Sequence, residues 1–424
     1  MTIKTIVEKL NSGELDGALV ALYTDVPAAR RRALSVIGGW QRTFGRDDGA
    51  EVMLVSAPGR TELGGNHTDH QHGRVLCGSV NLDALACVGV NGQDTIRICS
   101  EGYGMAEIAL DGFEPVEREA GTSAALIRGV AAGLAQLGYQ PTGFDAYMVS
   151  DVPAGSGLSS SAAYEVLLGT IMDALAGSGL DPVTLAKIGQ RAENVYFGKP
   201  CGLLDQTACA VGAACAVDFR DPANPAVEAV EVDFAAHGYA LCIIDTKSDH
   251  ADLTDAYAAI PAEMKAVAAY FGREVLREVD EGEFLANLAA VRQKTGDRAV
   301  LRAMHFFAEN DRAKAQAEAL KRGDFEEYLC LVNQSGQSSW CLLQNITAGD
   351  PAHQAVALAL ARGQQLLGGR GAIRVHGGGF AGTVQAYVPH DLLEQFRGGM
   401  EALLGEGTCH VIRIRPQGGA VIAK

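Results

Sequence analysis

Four polar side chains able to bind a metal or a sugar are crowded into one segment, LGGNHTDHQHGRV, residues 63–75. His67, His70 and His72, at spacings of three and two and joined by Asp69, form a plausible ligand set for Zn²⁺ or Ni²⁺. Structural zinc more often uses cysteine, and this segment contains none. Asn, Asp and His also donate or accept hydrogen bonds in fixed directions, as sugar hydroxyls require. The residue types in this segment are compatible with a metal site, a sugar site or a polar turn.

A second segment, VPAGSGLSSSAAYEVLL (residues 152–168), places glycines and serines at the start of an apolar helical pattern. Gly155 and Gly157 allow the backbone to approach a ligand closely. The three hydroxyls of residues 159–161 stand where the free N–H groups and the dipole of a helix favour an anion. The segment lacks the Lys of a GxxxxGK[ST] loop. A phosphate-binding loop and a plain capped turn both fit this pattern.

Two carboxylates flank a Gly and Pro break in RAENVYFGKPCGLLDQTACA, residues 191–210. Glu193 and Asp205 are twelve residues apart. One is suited to hold Mg²⁺ beside phosphates, and the other to orient or deprotonate a substrate hydroxyl. The alternative is that both are solvated acids on helix surfaces.

Three consecutive glycines follow a strand pattern in RVHGGGFAGTVQAYV, residues 374–388. Glycine lets another segment or a ligand come close to the backbone. The segment therefore predicts a tight turn between two strands or a contact with a ligand.

Composition limits the partners that these residues can serve. With 35 Lys and Arg against 51 Asp and Glu, the net charge of −16 argues against nucleic acid or an anionic membrane as partner. A nucleotide must then be held by local groups. The ten cysteines form no CxxC pair, several lie in apolar runs, and they favour a reducing compartment. The start of the chain lacks the apolar core of a secretion signal, and no run of about 18 apolar residues occurs, so we expect a cytoplasmic protein.

The elements that position these motifs alternate between helix and strand. Helices are expected up to about residue 45, and EVMLVSAPGR begins a β-rich region. A helix over TSAALIRGVAAGLAQLGY and a strand over GFDAYMVSDVP lead into the Gly/Ser loop. From about residue 216 the strand YALCIIDTKS opens a second region with a helical middle up to about residue 370. At 424 residues, this predicts an α+β protein of two lobes, residues 1–215 and 216–424.

Four segments, in order and at matching spacing, resemble those of the GHMP kinase superfamily and its galactokinase family. APGRTELGGNHTDHQHGRVL resembles the galactokinase signature GRxNLIGEHTDYN, and PAGSGLSSSAAYEV the phosphate loop. VHGGGFAGTVQAYV resembles the C-terminal glycine motif, and AENVYFGKPCGLLDQ the segment of the catalytic Asp. The resemblance spans residues 57–388. It implies a two-lobed fold, with an N-terminal lobe like ribosomal protein S5 domain 2 and a ferredoxin-like α/β C-terminal lobe.

The resemblance also implies an ATP-dependent sugar 1-kinase and assigns roles to residues. Asp205 is expected to be the catalytic base for the anomeric hydroxyl, with Arg60 stabilising both this anion and the charge on the phosphoryl group. Sugar contacts are expected from Asn66, His67, Asp69 and the backbone of Gly202, and Tyr257 is the nearest counterpart of the Tyr in the family's SEYNxR segment. The phosphates of ATP are expected at Gly155, Ser156, Gly157, Leu158, Ser159, Ser160 and Ser161, and Mg²⁺ at Ser161 and Glu193.

The departures from the family pattern concern the choice of sugar. Asn66 replaces the family Glu, which in galactokinases accepts a hydrogen bond from the C6 hydroxyl, and His70 replaces the Tyr after the Asp. Ala381, in the glycine motif, is a small change. Galactose is the expected substrate. Galacturonic acid is the alternative, because Asn does not repel a C6 carboxylate and galacturonic acid kinases have a similar DHQ run.

Two other classes of function remain open. One is a non-catalytic sensor of sugar and ATP, and the other is a metal-binding protein built on the histidines. In each case the partners are small molecules, and we expect a monomer or a weak oligomer.

Overall fold

Two β-sheets organise the parts of the chain that the computed structural model describes, residues 1–153, 157–248 and 253–424. The strands are β1 (Met53–Gly64), β2 (Arg74–Val90), β3 (Thr95–Ser100), β4 (Gly104–Ala109), β5 (Phe144–Ser150), β6 (Ala214–Asp218), β7 (Ala226–Val230), β8 (Tyr239–Asp245), β9 (Ala372–His376), β10 (Thr383–Pro389), β11 (Cys409–Ile412) and β12 (Ala420–Ala423).

Helices cover both sheets. They are α1 (Ile3–Ser12), α2 (Asp16–Val20), α3 (Val26–Phe44), α4 (Ser123–Gln136), α5 (Ser160–Ala176), α6 (Pro182–Arg191), α7 (Leu204–Val211), α8 (Thr254–Tyr270), α9 (Glu281–Ala286), α10 (Leu288–Thr295), α11 (Asp297–Lys321), α12 (Phe325–Ser338), α13 (Ala355–Leu367) and α14 (Leu393–Leu404). Two π-helical turns, Ala192–Phe197 and Ser339–Leu343, extend α6 and α12. In the described ranges, no helix has both the length and the apolar character needed to cross a bilayer.

The first sheet has eight strands, ordered β12-β1-β2-β5-β3-β4, with β6 on β2 and β7 on β6. All its pairs are antiparallel except β3 with β5. Side chains of β1 alternate between its two faces, as strand geometry requires. Met53 and Val55 pack into the core that includes residues of α4 to α7, whereas Leu54 packs under the N-terminal helices. Because both faces are covered, β1 is apolar through most of its length.

The second sheet has four antiparallel strands, ordered β11-β8-β10-β9. One face packs against residues of α13 and α14, including Leu360 and Phe396. The other face contributes Ile243 and Tyr387 to a core that also contains Leu158 from the segment before α5. This shared core joins the two lobes beside the Gly/Ser loop.

The lobe boundary predicted between residues 215 and 216 falls inside β6. The first sheet continues through β7 and takes back β12 from the end of the chain. We therefore place the change of lobe between β7 and β8. The predicted helices at the N-terminus, over residues 123–136 and through the middle of the second lobe are present, as are the strands β1, β5 and β8.

The register of β1 shifts twice in its pairing with β2, once between Pro58 and Arg60 and once between Glu62 and Gly64. Such irregularities bend a strand and re-aim its side chains. Both fall where β1 leaves its regular apolar part and enters the segment rich in candidate site residues.

A buried carboxylate fastens the N-terminal helices to the first sheet. Asp83 of β2 is fully buried and accepts hydrogen bonds from Tyr23 at 2.6 Å, from Arg415 at 3.1 Å, and from Ser56 and Arg32. Burial alone would raise the pKa of Asp83, but the charges of Arg32 and Arg415 offset it, and the pKa lies below its usual value. Asp83 therefore joins the N-terminal helices, the sheet and the C-terminal segment as an ionised group.

We expect Asp83→Asn to lower the free energy of unfolding by about 3 kcal/mol, because it leaves the buried Arg415 without its counter-charge and removes one of the two carboxylates paired with Arg32. Urea unfolding followed by circular dichroism measures this value. Asp297→Asn is the matched control, since Asp297 forms an exposed ion pair with Arg292 and its loss should leave the unfolding curve unchanged. Equal curves for the two variants would contradict the role of Asp83.

Candidate active site

An ion pair between β1 and the first turn of α7 forms the centre of the site. Nε of Arg60 donates to Oδ1 of Asp205 at 2.7 Å, and Oγ of Ser159 donates to Oδ2 at 2.5 Å. Burial alone would raise the pKa of Asp205, but Arg60 and the hydrogen bond from Ser159 bring it below its usual value. Asp205 is therefore held as an anion with fixed direction. The predicted pair of Arg60 and Asp205 is thus brought together.

The Gly/Ser loop is tied to the same point of β1. The backbone N–H of Arg60 donates to the carbonyl of Leu158 at 3.0 Å, and its side chain donates to the carbonyl of Gly157. A Cβ at position 59 would lie 2.7 Å from the carbonyl oxygen of Leu158, so this approach needs Gly59. The loop is consequently positioned by the residue that also holds Asp205.

The residues predicted to bind phosphate are described only in part. Gly155 and Ser156 lie outside the described residues. Leu158 is fully buried in the core between the lobes, and Ser159, in the left-handed conformation at φ 57°, turns its hydroxyl to Asp205. Ser160 and Ser161 form the first turn of α5, whose free N–H groups favour an anion. Phosphate binding at these residues remains a prediction.

The predicted metal ligand Glu193 lies in a buried acidic cluster. Its side chain is 4 % exposed, and Nε2 of Gln206 donates to Glu193 at 3.0 Å and to Glu165 at 2.9 Å. Lys199 donates to the other oxygen of Glu193 at 3.2 Å. Ser161 precedes Glu165 by one turn of α5, so the two share a face of the helix.

This donor set fits Mg²⁺, which takes hard oxygen ligands from one or two carboxylates together with phosphates and water. Oε1 of Glu165 is buried and has no hydrogen-bond partner among the described residues, and burial beside Glu193 raises the pKa of this carboxyl to about 9, a shift that a bound cation would oppose. Lys199, which pairs with Glu193, is largely exposed, with 63 % of its side chain accessible.

A cavity of about 220 Å³ opens beside Asp205. It is lined by Arg60, Glu62, Asn66, His67, Asp69, His70, Cys201, Gly202, Leu204, Asp205, Gly377 and Gly378. A Cβ at position 202 would lie 2.0 Å from Oδ2 of Asp69, so only glycine permits this contact. Burial and the charge of Asp205 raise the pKa of Asp69 to about 6. Four predicted sugar-site residues, Asn66, His67, Asp69 and Gly202, therefore border one cavity with the predicted base.

The two histidines in the cavity wall are neutral hydrogen-bonding groups. Burial lowers the pKa of His67 to about 4, and burial together with His67 lowers the pKa of His70. His67 contacts the carbonyl of Gly378 at 3.0 Å and His70 at 3.2 Å. Within the described part of the chain, no group of three or more His, Cys, Asp or Glu is arranged to hold a metal ion.

Asn66 does not have the environment predicted for a sugar ligand. Its amide nitrogen donates to the carbonyl of Gly377 at 2.6 Å and to Glu62 at 3.1 Å. Its oxygen accepts from Asn345 at 2.9 Å and Ser339 at 3.2 Å. The residue is fully buried. The amide has two donors and two acceptor sites, and all four are occupied by protein, so the predicted contact with a hydroxyl is not supported.

Helix α11 supports the turn of residues 64–67 from behind. Its buried Glu309 accepts from the backbone N–H groups of Gly65 and Asn66 at 3.1 and 3.3 Å. His305 contacts the carbonyl of Asn66 at 2.9 Å. These residues fix the backbone that carries His67 and Asp69. Sequence reasoning missed them, because nothing in the pattern of α11 links it to a turn about 240 positions earlier.

Tyr257 supports the triple-glycine turn and is not among the residues that line the cavity. Its hydroxyl donates to the carbonyl of Gly379 at 2.6 Å, and its ring packs edge-on against Phe380. A Cβ at position 378 would lie 2.6 Å from the Tyr257 ring. The tight turn predicted between β9 and β10 is present and borders the cavity through Gly377 and Gly378, whereas contact of this segment with a ligand stays a prediction.

Comparison with known proteins agrees with this geometry. The family "GHMP kinases N terminal domain" matches residues 125–213, and the "Galactokinase galactose-binding signature" matches residues 40–90. Galactokinase from Streptomyces coelicolor is 34 % identical over 282 residues, which cover 65 % of this chain and 71 % of that protein.

Solved structures show the same likeness. The structure of Lactococcus lactis galactokinase complexed with galactose has a TM-score of 0.77 and 27 % identity, covering 90 % of this chain and 98 % of the other. A mevalonate kinase structure, at 15 % identity, TM-score 0.61 and coverage of 85 % and 99 %, shares the fold. Fold and site together define a GHMP kinase. Within this class the chain belongs to the galactokinase family, and it is a sugar kinase, which confirms the predicted class and fold.

Sequence reasoning also missed three charged residues of the site, although they lie in the motifs themselves. They are Glu62, Glu165 and Lys199, in RTELGGNH, SSAAYEV and FGKPCG. Each is a charged residue between glycines or in an apolar pattern, which is a usable signal for a buried or ligand-facing group.

We expect kcat/KM for the sugar to fall as the pH drops below about 6. The raised pKa of Asp69 means that its carboxyl is ionised above this pH and loses an acceptor for hydroxyls below it. A pH profile from 5 to 8 at saturating ATP measures the effect. In the Asp69→Asn variant, the fall of kcat/KM below about pH 6 should disappear, and most of the affinity for the sugar should be lost. If kcat/KM of this variant still falls below about pH 6, another group is responsible for the pH dependence.

Proposed function

We propose that this kinase transfers the γ-phosphoryl group of ATP to the anomeric hydroxyl of galactose, giving galactose 1-phosphate and ADP. The observation that carries the proposal is the anionic Asp205, held by Arg60 and Ser159, at the wall of a sugar-sized cavity. The galactose-binding signature and the fold likeness to a galactokinase complexed with galactose support the choice of sugar.

In this reaction Asp205 accepts the proton of the anomeric hydroxyl, and the anomeric oxygen of the sugar forms a bond to the γ-phosphorus. The bond from phosphorus to the β–γ bridging oxygen breaks, and ADP leaves with that oxygen. Arg60 keeps Asp205 ionised before transfer and balances charge on the phosphoryl group as it moves. Because little covalent chemistry falls to the protein, positioning and charge balance dominate.

The phosphates are proposed to lie at residues 155–161 and the N-terminus of α5. Ser161 and Glu193 would hold Mg²⁺, with Lys199 nearby. When bound there, Mg²⁺ supplies neutralisation of the charge on the phosphate oxygens. The lowered pKa of Asp205 depends on the protein's own groups, so the base is prepared before nucleotide binds.

Galacturonic acid is less well supported by the site than galactose. That alternative depends on the neutral Asn66 in place of an acid. The structure brings another carboxylate, Glu62, to the same cavity, within 3.1 Å of Asn66. A C6 carboxylate near Glu62 would meet the repulsion that Asn66 was expected to remove. A pure sensor is also less well supported, since it needs neither an oriented base nor its arginine.

We also propose that the protein works in the cytoplasm as a monomer or weak oligomer. All ten cysteines are free thiols, which suits a reducing compartment. The net charge of −16 disfavours nucleic acid and anionic membranes as partners.

Among galactose, galacturonic acid, arabinose, glucose and N-acetylgalactosamine, we expect galactose to give the highest kcat/KM. An ADP-release assay with Mg²⁺ and ATP measures this, with the sugar omitted as the control for background hydrolysis. A higher value with another sugar would change the substrate. Binding of ATP and sugar without ADP release would identify a sensor.

We expect Asp205→Asn to lower kcat by about 10³-fold or more, because the variant has no carboxylate to take the proton. ATP binding, measured by calorimetry, should remain within a few-fold of the wild-type value. Asp221→Asn, which changes an exposed Asp, is the matched control. Turnover of Asp205→Asn close to that of the control would exclude Asp205 as the base.

A further inference from the structure

Glu62 is a charged residue in the lining of the candidate sugar cavity. It lies on β1 two residues after Arg60 and lines the cavity with Asp69 and Asp205. Its Oε1 accepts from Arg374 and, at 3.1 Å, from the amide of Asn66. Among the residues that the structure describes, its Oε2 has only a long contact of 3.4 Å with that same amide nitrogen. Oε2 therefore keeps acceptor capacity that the protein does not use.

The neighbouring Asn66 has no such capacity, because its four hydrogen-bonding positions are filled by protein groups. One of these bonds is the donation to Glu62. Asn66 thus fixes the carboxylate and contributes no free group of its own.

The backbone around Glu62 is held equally firmly by the second lobe. The N–H of Glu62 donates to Nε2 of His376 at 3.2 Å, and its carbonyl accepts from Gln385 at 2.9 Å. Arg374, fully buried on β9, supplies the counter-charge. A buried carboxyl group whose counter-ion, amide partner and backbone are all held by hydrogen bonds is pre-organised, which lowers the ordering cost of binding a ligand.

We propose that Glu62 accepts a hydrogen bond from a hydroxyl group of the sugar, and that Asn66 and Arg374 are positioning residues that direct its carboxylate. The inference rests on the proposed function in that it takes the sugar to occupy this cavity. It also specifies the substrate class. The group beside Glu62 must be a neutral donor, because a second carboxylate there would compete with Glu62 for the charge of Arg374 in a site where burial already raises the pKa of Glu62.

The test pairs Glu62→Gln with galactose and its 2-, 3-, 4- and 6-deoxy derivatives. Loss of a hydrogen bond to a charged group should weaken galactose binding by about 10-fold or more, with the KM for ATP unchanged and kcat within about threefold. One of the deoxy sugars lacks the hydroxyl that Glu62 binds. Wild type and Glu62→Gln should bind this sugar with equal affinity. This coupling identifies the hydroxyl that Glu62 binds.

Glu62→Asp keeps the charge near Arg374 and covers the case in which Glu62→Gln does not fold. Glu62→Asp should weaken the binding of galactose more than the binding of that deoxy sugar, with a smaller difference than Glu62→Gln shows. Glu107→Gln, an exposed Glu in the same sheet, is the matched control and should change nothing. Thermal unfolding of each variant separates loss of fold from loss of contact.

The proposal would be overturned if both Glu62 variants lost the same amount of affinity for galactose and for every deoxy sugar. Glu62 would then be a structural partner of Arg374. Sugar affinity is measured by calorimetry, so the role of Glu62 is decided even if wild type shows no turnover. Absence of turnover would count against the proposed function alone.

Discussion

The ion pair between Arg60 and Asp205 is the interaction on which the rest of the site depends. It joins β1 of the first sheet to the start of α7, and the same arginine binds the carbonyls of Gly157 and Leu158 in the Gly/Ser loop. One arginine therefore sets the distance between the carboxylate of Asp205, the proposed base, and the segment proposed to hold ATP. Because Arg60 is buried, this charge is not screened by solvent, and it holds the pKa of Asp205 low without nucleotide.

A second constraint is steric, and it explains why glycines surround the polar residues. Side chains at positions 59, 202 or 378 would overlap the carbonyl of Leu158, the carboxylate of Asp69 or the ring of Tyr257. The site is assembled by close approach of backbone to side chain, and each approach joins segments far apart in the chain. The cavity is thus a product of packing between the two lobes, with α11 and the β9–β10 turn of the second lobe closing on β1 of the first.

Most of the architecture and the centre of the site follow from local sequence. Periodicity and turn residues predict the N-terminal helices, α4, α5 and the strands β1, β5 and β8 correctly, and the contiguous motifs contain Arg60, Asp69, Glu193 and Asp205. Long-range pairing was not predictable in this way: β12 returns to the first sheet, and β7 extends it beyond the expected boundary. Glu309 and His305 were missed for the same reason, since their partners lie on the far side of the fold.

The exchange of residue types at positions 62 and 66 shows why a departure from a motif cannot be judged one position at a time. Relative to the pattern GRxNLIGEHTDYN, this chain has an acid where Asn is usual and Asn where an acid is usual. Taken alone, Asn66 suggests a cavity that has lost a carboxylate. In the structure Asn66 and Glu62 are hydrogen-bonded to each other, and Arg374 balances the single charge of the pair. Of the two positions, one still carries a carboxyl group, now four residues earlier in the chain, beside Asp69 and Asp205 in the cavity lining.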